Sequence, residues 1–363
     1  MFEVIFLIAI CLYFIQSFLF VAGASKRFKK LPEESLPEIS IIVAARNEEN
    51  NILNCLQSLD NLIYPEGKIE IILVNDKSTD CTSEIAEKFI LDKPKFRLIT
   101  TEKKIGNLRG KTNALANGLE IAKGEVILTT DADCTVSPTW AKSIASYYQK
   151  DVAMVCGYTS QIAEDQFSGM QMLDFMYLLT VAAGAMNFNR PLSCIGNNMS
   201  YRKSVYKEVG GYESIPFSVT EDFKLLKTIF KLKKYRVIYP LDSEALVTSK
   251  PCEDWKSIYW QKKRWGVGGL DSDIDGFLVM TSGFIASICI VLLPFMFSAN
   301  ALYLGILKVA IDYFLLFPVL KKFNLTSKLK YFLSFEIYFI VYVILLPILV
   351  LTSRKVLWKG RSY

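Results

Sequence analysis

The chain has 363 residues, 52% of them hydrophobic and 21% charged, with a net charge of +6 and a mean hydropathy of +0.27. That length holds one domain of ordinary size plus several membrane helices, and the composition excludes both a disordered chain and a simply soluble one. Histidine is absent, which removes His-based zinc hydrolysis, Ser-His-Asp triads and Cys-His nucleophiles and leaves carboxylate, Lys, Tyr or Cys as the only general bases.

In chain order, residues 4–24 form an apolar run of about 20 residues, long enough to span a bilayer. Ala22-Gly23-Ala24 resembles a cleavage site, but the run is long for a signal core, Glu3 precedes it, and Lys26, Arg27, Lys29 and Lys30 follow it. An uncleaved anchor with its basic flank in the cytosol is therefore expected. From residue 37 to about 250, strand-like and helix-like segments alternate. Strands are predicted over 39–44, 69–74, 97–100 and 125–130, and helices over 48–59, 78–91 and 111–122, which together imply a mostly parallel sheet covered on both faces. Ser78 and Thr79 are candidate caps of the second helix. Residues 166–186 are apolar but interrupted by Gln166, Gln171 and Asp174, so a buried or membrane-grazing helix is expected there, not a crossing. Three further apolar runs, 277–297, 299–320 and 331–352, each approach spanning length. Counting every run puts the basic tail (Arg354, Lys355, Lys359, Arg361) outside, whereas omitting 299–320 puts Lys321, Lys322, Lys328 and Lys330 there, so one segment is interfacial or re-entrant. Lys308 and Asp312, at i and i+4, are expected to neutralise each other. The lysines cluster beside apolar runs, which points to anionic lipid and not to nucleic acid. The eight cysteines lack any C-x-x-C pair and read as reduced.

Candidate chemistry lies between the apolar runs. Asp131 and Asp133 follow Val126-Ile127-Leu128, at the carboxyl end of a predicted strand, where open α/β sheets bind ligands. Two carboxylates there suit Mg²⁺ or Mn²⁺ held against a diphosphate, because both ions take oxygen ligands and share their shell with phosphate. Gly110-Lys111 at a predicted helix start suits phosphate, although P-loop and G-x-G-x-x-G spacings are absent.

The words Ser40 to Glu49, Val74 to Asp80 and Gly110 to Leu115, followed by Asp131-Ala132-Asp133, Thr220-Glu221-Asp222 and Gln261-Lys262-Lys263-Arg264-Trp265, resemble inverting family 2 glycosyltransferases. The resemblance covers residues 37–270. Trp358-Lys359-Gly360-Arg361 is similar to a word in membrane members, including ceramide glucosyltransferase-like and polysaccharide synthase-like proteins. It implies an α/β GT-A domain (the nucleotide-diphospho-sugar transferase fold) with a mixed, mostly parallel sheet, plus N- and C-terminal transmembrane helices. The implied division is 1–30 for the anchor, 31–270 for a cytosolic transferase domain and 271–363 for C-terminal membrane helices. It further implies that Ala45, Arg46, Asn47, Glu48 and Asp76 hold the nucleobase and ribose, with Lys111 near base or phosphates. Asp131 and Asp133 would face the donor, Asp133 being the better metal ligand. Asp222 would be the general base with Glu221 beside it. Arg264 would neutralise the diphosphate, Gln261 would hydrogen-bond donor or acceptor, and Trp265 would stack near the acceptor or pack the site.

The expected reaction moves a sugar from a nucleotide donor, UDP-sugars being favoured, to a lipid acceptor with metal assistance at a multi-pass cell membrane, the domain facing the cytoplasm. Two alternatives stand beside it: a processive polysaccharide synthase sharing the same words, and a non-catalytic scaffold that keeps the fold.

Overall fold

The computed structural model describes residues 1–358, 361 and 362, so Lys359 and Gly360 of the C-terminal word lie outside the described residues. In chain order its elements are α1 (Phe2–Ala24), β1 (Ile39–Ala45), α2 (Ile52–Asp60), β2 (Ile69–Asn75), α3 (Thr82–Ile90), β3 (Phe96–Thr100), α4 (Gly110–Ile121), β4 (Val126–Asp131), β5 (Cys134–Val136), α5 (Trp140–Ser146), β6 (Val152–Cys156) and β7 (Thr159–Gln161). There follow α6 (Gln166–Met186), β8 (Met199–Arg202), α7 (Lys203–Glu208), α8 (Glu221–Lys231), β9 (Arg236–Ile238), β10 (Val247–Ser249), α9 (Trp255–Gly269), α10 (Ile274–Leu292), α11 (Ala299–Lys322) and α12 (Phe332–Thr352). They divide into two compact units: residues 27–160 with 193–250, and residues 1–26 with 161–192 and 251–363. Residues 161–192 and 251–270, placed by sequence inside the 31–270 block, thus group with the terminal helices.

In the α/β unit the main sheet orders its strands β3-β2-β1-β4-β8-β6-β9. β3, β2, β1 and β4 are parallel, β8 is antiparallel to both β4 and β6, and β9 is parallel to β6, which makes the sheet mixed and mostly parallel as expected. β1 reads Ile-Ser-Ile-Ile-Val-Ala-Ala, a nearly continuous apolar run typical of a strand covered on both faces. Ile39, Ile41, Ile42 and Val43 are buried, each contributing about 1.5–3 kcal/mol by leaving water. Two helix starts differ from expectation: α2 begins at Ile52 and α3 at Thr82, four residues late in each case, because the residues before them are taken up by contacts between loops.

In the helical unit five helices, among the described residues, are long and apolar enough to cross a membrane: α1, α6, α10, α11 and α12 with its leading turn. α6 is almost wholly buried. β6 and β8, which precede and follow it in the chain, are hydrogen-bonded neighbours, with Met154 opposite Tyr201 and Cys156 opposite Met199. α1 and α11 run in the same direction, since Glu3 meets Ser298 Oγ at 2.5 Å and Tyr13 meets Asp312 at 2.5 Å. α1 and α6 approach so closely that a Cβ on Gly184 would sit 2.3 Å from the Phe20 carbonyl oxygen. The expected Lys308–Asp312 pair forms at 2.6 Å, and Glu336 joins it at 2.8 Å from Lys308. Tyr13 completes the cluster, donating to Asp312 Oδ1 and lying 2.5 Å from the Tyr177 hydroxyl.

Candidate active site

The parallel strands β1, β2 and β4 end side by side, and the candidate donor residues lie at those ends. Ala45 closes β1 and is buried, and Arg46, Asn47 and Glu48 follow it. Asp76 follows β2, its N–H donating to the Ala45 carbonyl at 2.8 Å. Arg46 Nη1 donates to the Asp76 carbonyl at 2.7 Å. Asn47 and Lys77 both adopt a left-handed backbone, with φ of 52° and 56°, which turns the two loops towards each other. The Asn47 N–H donates to Ser78 Oγ, and Asn47 Oδ1 accepts from the Thr79 N–H at 2.9 Å. The Glu48 N–H donates to Thr82 Oγ1 at 2.7 Å, while Asp80 Oδ1 accepts from both the N–H and the hydroxyl of Thr82. Asp80 therefore performs the task expected of Ser78 and Thr79 at the head of α3. This mutual lashing explains why α2 and α3 start late. Thr101 extends it to β3, donating to the Asn75 carbonyl at 2.8 Å.

α4 starts at Gly110, whose φ is 57°, and Lys111 follows in its first turn. Asn113 and Asn117, one turn apart on α4, both donate to the Lys103 carbonyl, and Asn113 Oδ1 accepts from the Ile105 N–H at 2.9 Å. The loop before α4 is thereby pinned to the helix itself.

Lys111 is where the charges converge. Its Nζ lies 2.5 Å from Asp131 Oδ1 at the end of β4 and 3.7 Å from Glu221 Oε1 in the first turn of α8. A Cβ placed on Gly196 would stand 3.3 Å from Asp222 Oδ2 and 3.5 Å from Lys111 Nζ, so Asp222 joins the same cluster. Burial alone would lower the Lys111 ammonium, but Asp131, Glu221 and Asp222 outweigh it and hold it above the ordinary lysine value. Glu221 and Asp222 occupy the first turn of α8, where the helix dipole favours carboxylates. Asp133 follows Asp131 in the turn before β5 and accepts a weak hydrogen bond from Cys134 Sγ at 3.4 Å. Burial, reinforced by Asp133 and Asp131, pushes the Cys55 and Cys134 thiols up, so neither offers a thiolate nucleophile.

The turn that brings Gly196 to this cluster is held on three sides. Thr129 Oγ1 donates to the Gly196 carbonyl at 2.7 Å, and Thr159 Oγ1 donates to Asn197 Oδ1 at 2.7 Å. Asn198 Nδ2 donates to the carbonyls of Tyr158 and Ala245, and its Oδ1 accepts from the Trp140 indole at 3.0 Å. Sequence reasoning missed Thr129, Thr159 and Trp140, because each acts across a long sequence gap. Gln261, Arg264 and Trp265 lie on α9 of the helical unit, with Gly268 and Lys262 buried beside them.

Among the described residues no three His, Cys, Asp or Glu side chains form a metal cage. Asp131 and Asp133 together provide carboxylate oxygens alone, the set with which Mg²⁺ or Mn²⁺ binds when substrate phosphates fill the rest of the shell. The residues fit such an ion.

Comparison with known proteins places this fold. The model of the family described as glycosyl transferase family 2 matches residues 40–210, and that of glycosyl transferase family group 2 matches residues 126–353. A probable glycosyltransferase of Bacillus subtilis (strain 168), YdaM, is 27% identical over 65% of this chain and 56% of its own length. The beta-monoglucosyldiacylglycerol synthase of Nostoc sp. is 26% identical over 70% of this chain and 54% of its own. The chain thus spans about half the length of the curated relatives it matches. The solved mannosyltransferase PcManGT from Pyrobaculum calidifontis, in complex with GDP-Man and Mn²⁺, superposes with a TM-score of 0.60 at 16% identity, covering 93% of this chain and 98% of that one. Its likeness shows that the α/β unit has the GT-A fold, and the family matches cover most of the sequence from β1 to α12: the chain belongs to glycosyltransferase family 2.

Proposed function

We propose that the protein is an inverting glycosyltransferase that moves one sugar from a nucleotide-diphosphate donor to a lipid hydroxyl at a membrane surface. The observation that carries this reading is the convergence of Lys111, Asp131, Glu221 and Asp222 around Gly196. Asp222 takes the proton from the acceptor hydroxyl as that oxygen attacks the anomeric carbon from the face opposite the leaving nucleoside diphosphate. Base catalysis of this kind contributes about 10²–10⁴-fold. Lys111, held charged by its carboxylate neighbours, lies where negative charge develops on the diphosphate. The loops of Ala45 to Glu48 and Asp76 hold nucleobase and ribose. When bound, Mg²⁺ or Mn²⁺ supplies further neutralisation of the diphosphate; Asp133 is its stronger ligand, because Lys111 already engages Asp131. Gln261, Arg264 and Trp265 serve acceptor and diphosphate from α9. UDP-sugars are the favoured donors.

A lipid acceptor is supported by the spanning helices and by the Nostoc relative, whose name denotes a synthase of a monoglucosylated diacylglycerol. Helix directions support a cytosolic orientation for the basic flanks. α1 and α11 are parallel, so Lys26 to Lys30 and Lys321 to Lys322 leave the bilayer at the same end. The basic flanks of α1 and α11 then face the cytosol together, in agreement with the positive-inside rule.

The test is transfer by purified protein in native-lipid nanodiscs, with Mn²⁺ or Mg²⁺ and a panel of radiolabelled nucleotide sugars. Label in one discrete chloroform-soluble species, lost in Asp222→Asn, is expected. Label in a high-molecular-weight polymer would instead make the protein a processive synthase.

A further inference from the structure

In the helical unit, α6 presents Gln171, Asp174 and Phe175, spaced i, i+3 and i+4 as one helix face, to the segment containing Gln261 to Trp265. The Gln171 amide clasps the backbone of Cys252 just before α9, accepting from its N–H at 2.9 Å and donating to its carbonyl at 3.1 Å. One turn on, Asp174 Oδ2 forms an ion pair with Lys262, the residue after Gln261. Asp174 Oδ1 accepts from the Tyr342 hydroxyl of α12 at 2.8 Å. The Lys262 ammonium lies 4.3 Å from the centre of the Trp265 ring and 4.7 Å from that of Tyr342, and Phe175 stacks on Trp265 with centroids 5.6 Å apart.

Asp174 is 1% and Lys262 6% exposed. Burial pulls the Lys262 ammonium below its ordinary value, and Asp174 works against that. A buried pair of this kind is a poor way to add stability, since apolar residues of equal volume do as well or better, and its best-attested use is to fix register. Both carboxylate oxygens of Asp174 are committed to residues that touch Trp265 or the helix carrying it.

We propose that Asp174 is a positioning residue: through Lys262 and Tyr342 it sets the rotation and height of α9, and so the direction in which Gln261, Arg264 and Trp265 present their side chains. The inference rests on the glycosyl-transfer reading and on α9 serving that reaction.

The test uses the full chain in nanodiscs and the neutral double variant Asp174→Asn/Lys262→Met. A pair that only stabilises can be replaced by neutral groups at little cost. A pair that positions cannot, because a displacement of about 1 Å costs up to about 10²-fold in rate. The double variant is therefore expected to melt near the wild-type temperature and keep its donor KM, while kcat falls about 10–100-fold. A kcat within about twofold of wild type at an unchanged melting temperature overturns the proposal. If the double variant does not fold, Tyr342→Phe removes one hydrogen bond from Asp174 and little volume. A lower kcat at unchanged melting temperature is expected from it, and an unchanged kcat overturns the proposal. Arg264→Ala separates the two layers of the argument. If it abolishes transfer while the double variant remains active, only the role of Asp174 fails; if it transfers normally, α9 has no part in the reaction and the reading beneath fails.

Discussion

Replacing Lys111 with Met removes the cation shared by Asp131, Glu221 and Asp222 while keeping most of the side-chain volume. Since Lys111 Nζ and Asp222 Oδ2 flank Gly196 at 3.5 and 3.3 Å from its Cβ position, they are within about 7 Å of each other; at an effective dielectric constant near 20, one charge then stabilises the other by about 2.4 kcal/mol, or about 1.7 pH units. The sign follows from the charge: without the ammonium the carboxylate form is less favoured, so the base becomes protonated at a higher pH. The assay is the pH dependence of kcat/KM for the free enzyme. The acid limb is expected to move upward by roughly 1–2 units in Lys111→Met, because solvent reaching this partly open site trims the Coulomb figure. An acid limb that stays in place, with a uniformly lower rate, would refute the electrostatic link between Lys111 and Asp222.

Three further outcomes follow from buried charge. Lys308→Met leaves Asp312 and Glu336 without their cation and is expected to destabilise the protein by about 3–5 kcal/mol, read as a lower melting temperature in nanodiscs; the neutral triple Lys308→Met/Asp312→Asn/Glu336→Gln should regain most of it. Asp242 accepts from Ser143 at 2.6 Å and Tyr147 at 2.7 Å and pairs with Lys30 at 2.7 Å. Burial raises its pKa, but these partners more than compensate and hold the carboxyl below its usual value. A depressed carboxylate stabilises above its unfolded pKa, and that contribution is lost as pH falls through the folded value. Acid unfolding below about pH 4 should therefore be shallower in Asp242→Asn, which starts less stable by about 1–3 kcal/mol. Asp133→Ala should weaken metal-dependent nucleotide binding in calorimetry while metal-free binding changes little.

The strands ending at the site were legible because their signal is local. Val126 to Thr130 and Ile39 to Ala44 are largely apolar runs, and the carboxylates after them fall where the chain must leave the sheet. Helix starts were less so. Ser78 precedes an apolar-periodic segment and resembles a cap, yet its hydroxyl accepts from the Asn47 N–H about 30 positions away, a competition no local window contains. The same holds for charge pairs: Lys308 and Asp312 are neighbours on one helix and were readable, whereas Glu336, Tyr13 and the Asp174–Lys262 pair join helices distant in sequence. The interruptions Gln171 and Asp174 did reveal α6 as other than a lipid-facing span, because polar groups buried in an apolar helix need partners.

The most direct measurement is the anomeric configuration of the sugar in the lipid product, read by NMR coupling from a donor of known configuration. Direct attack by an acceptor oxygen deprotonated by Asp222 predicts the configuration opposite to that of the donor. A product that retains the donor's configuration would contradict single displacement and the role of Asp222 with it.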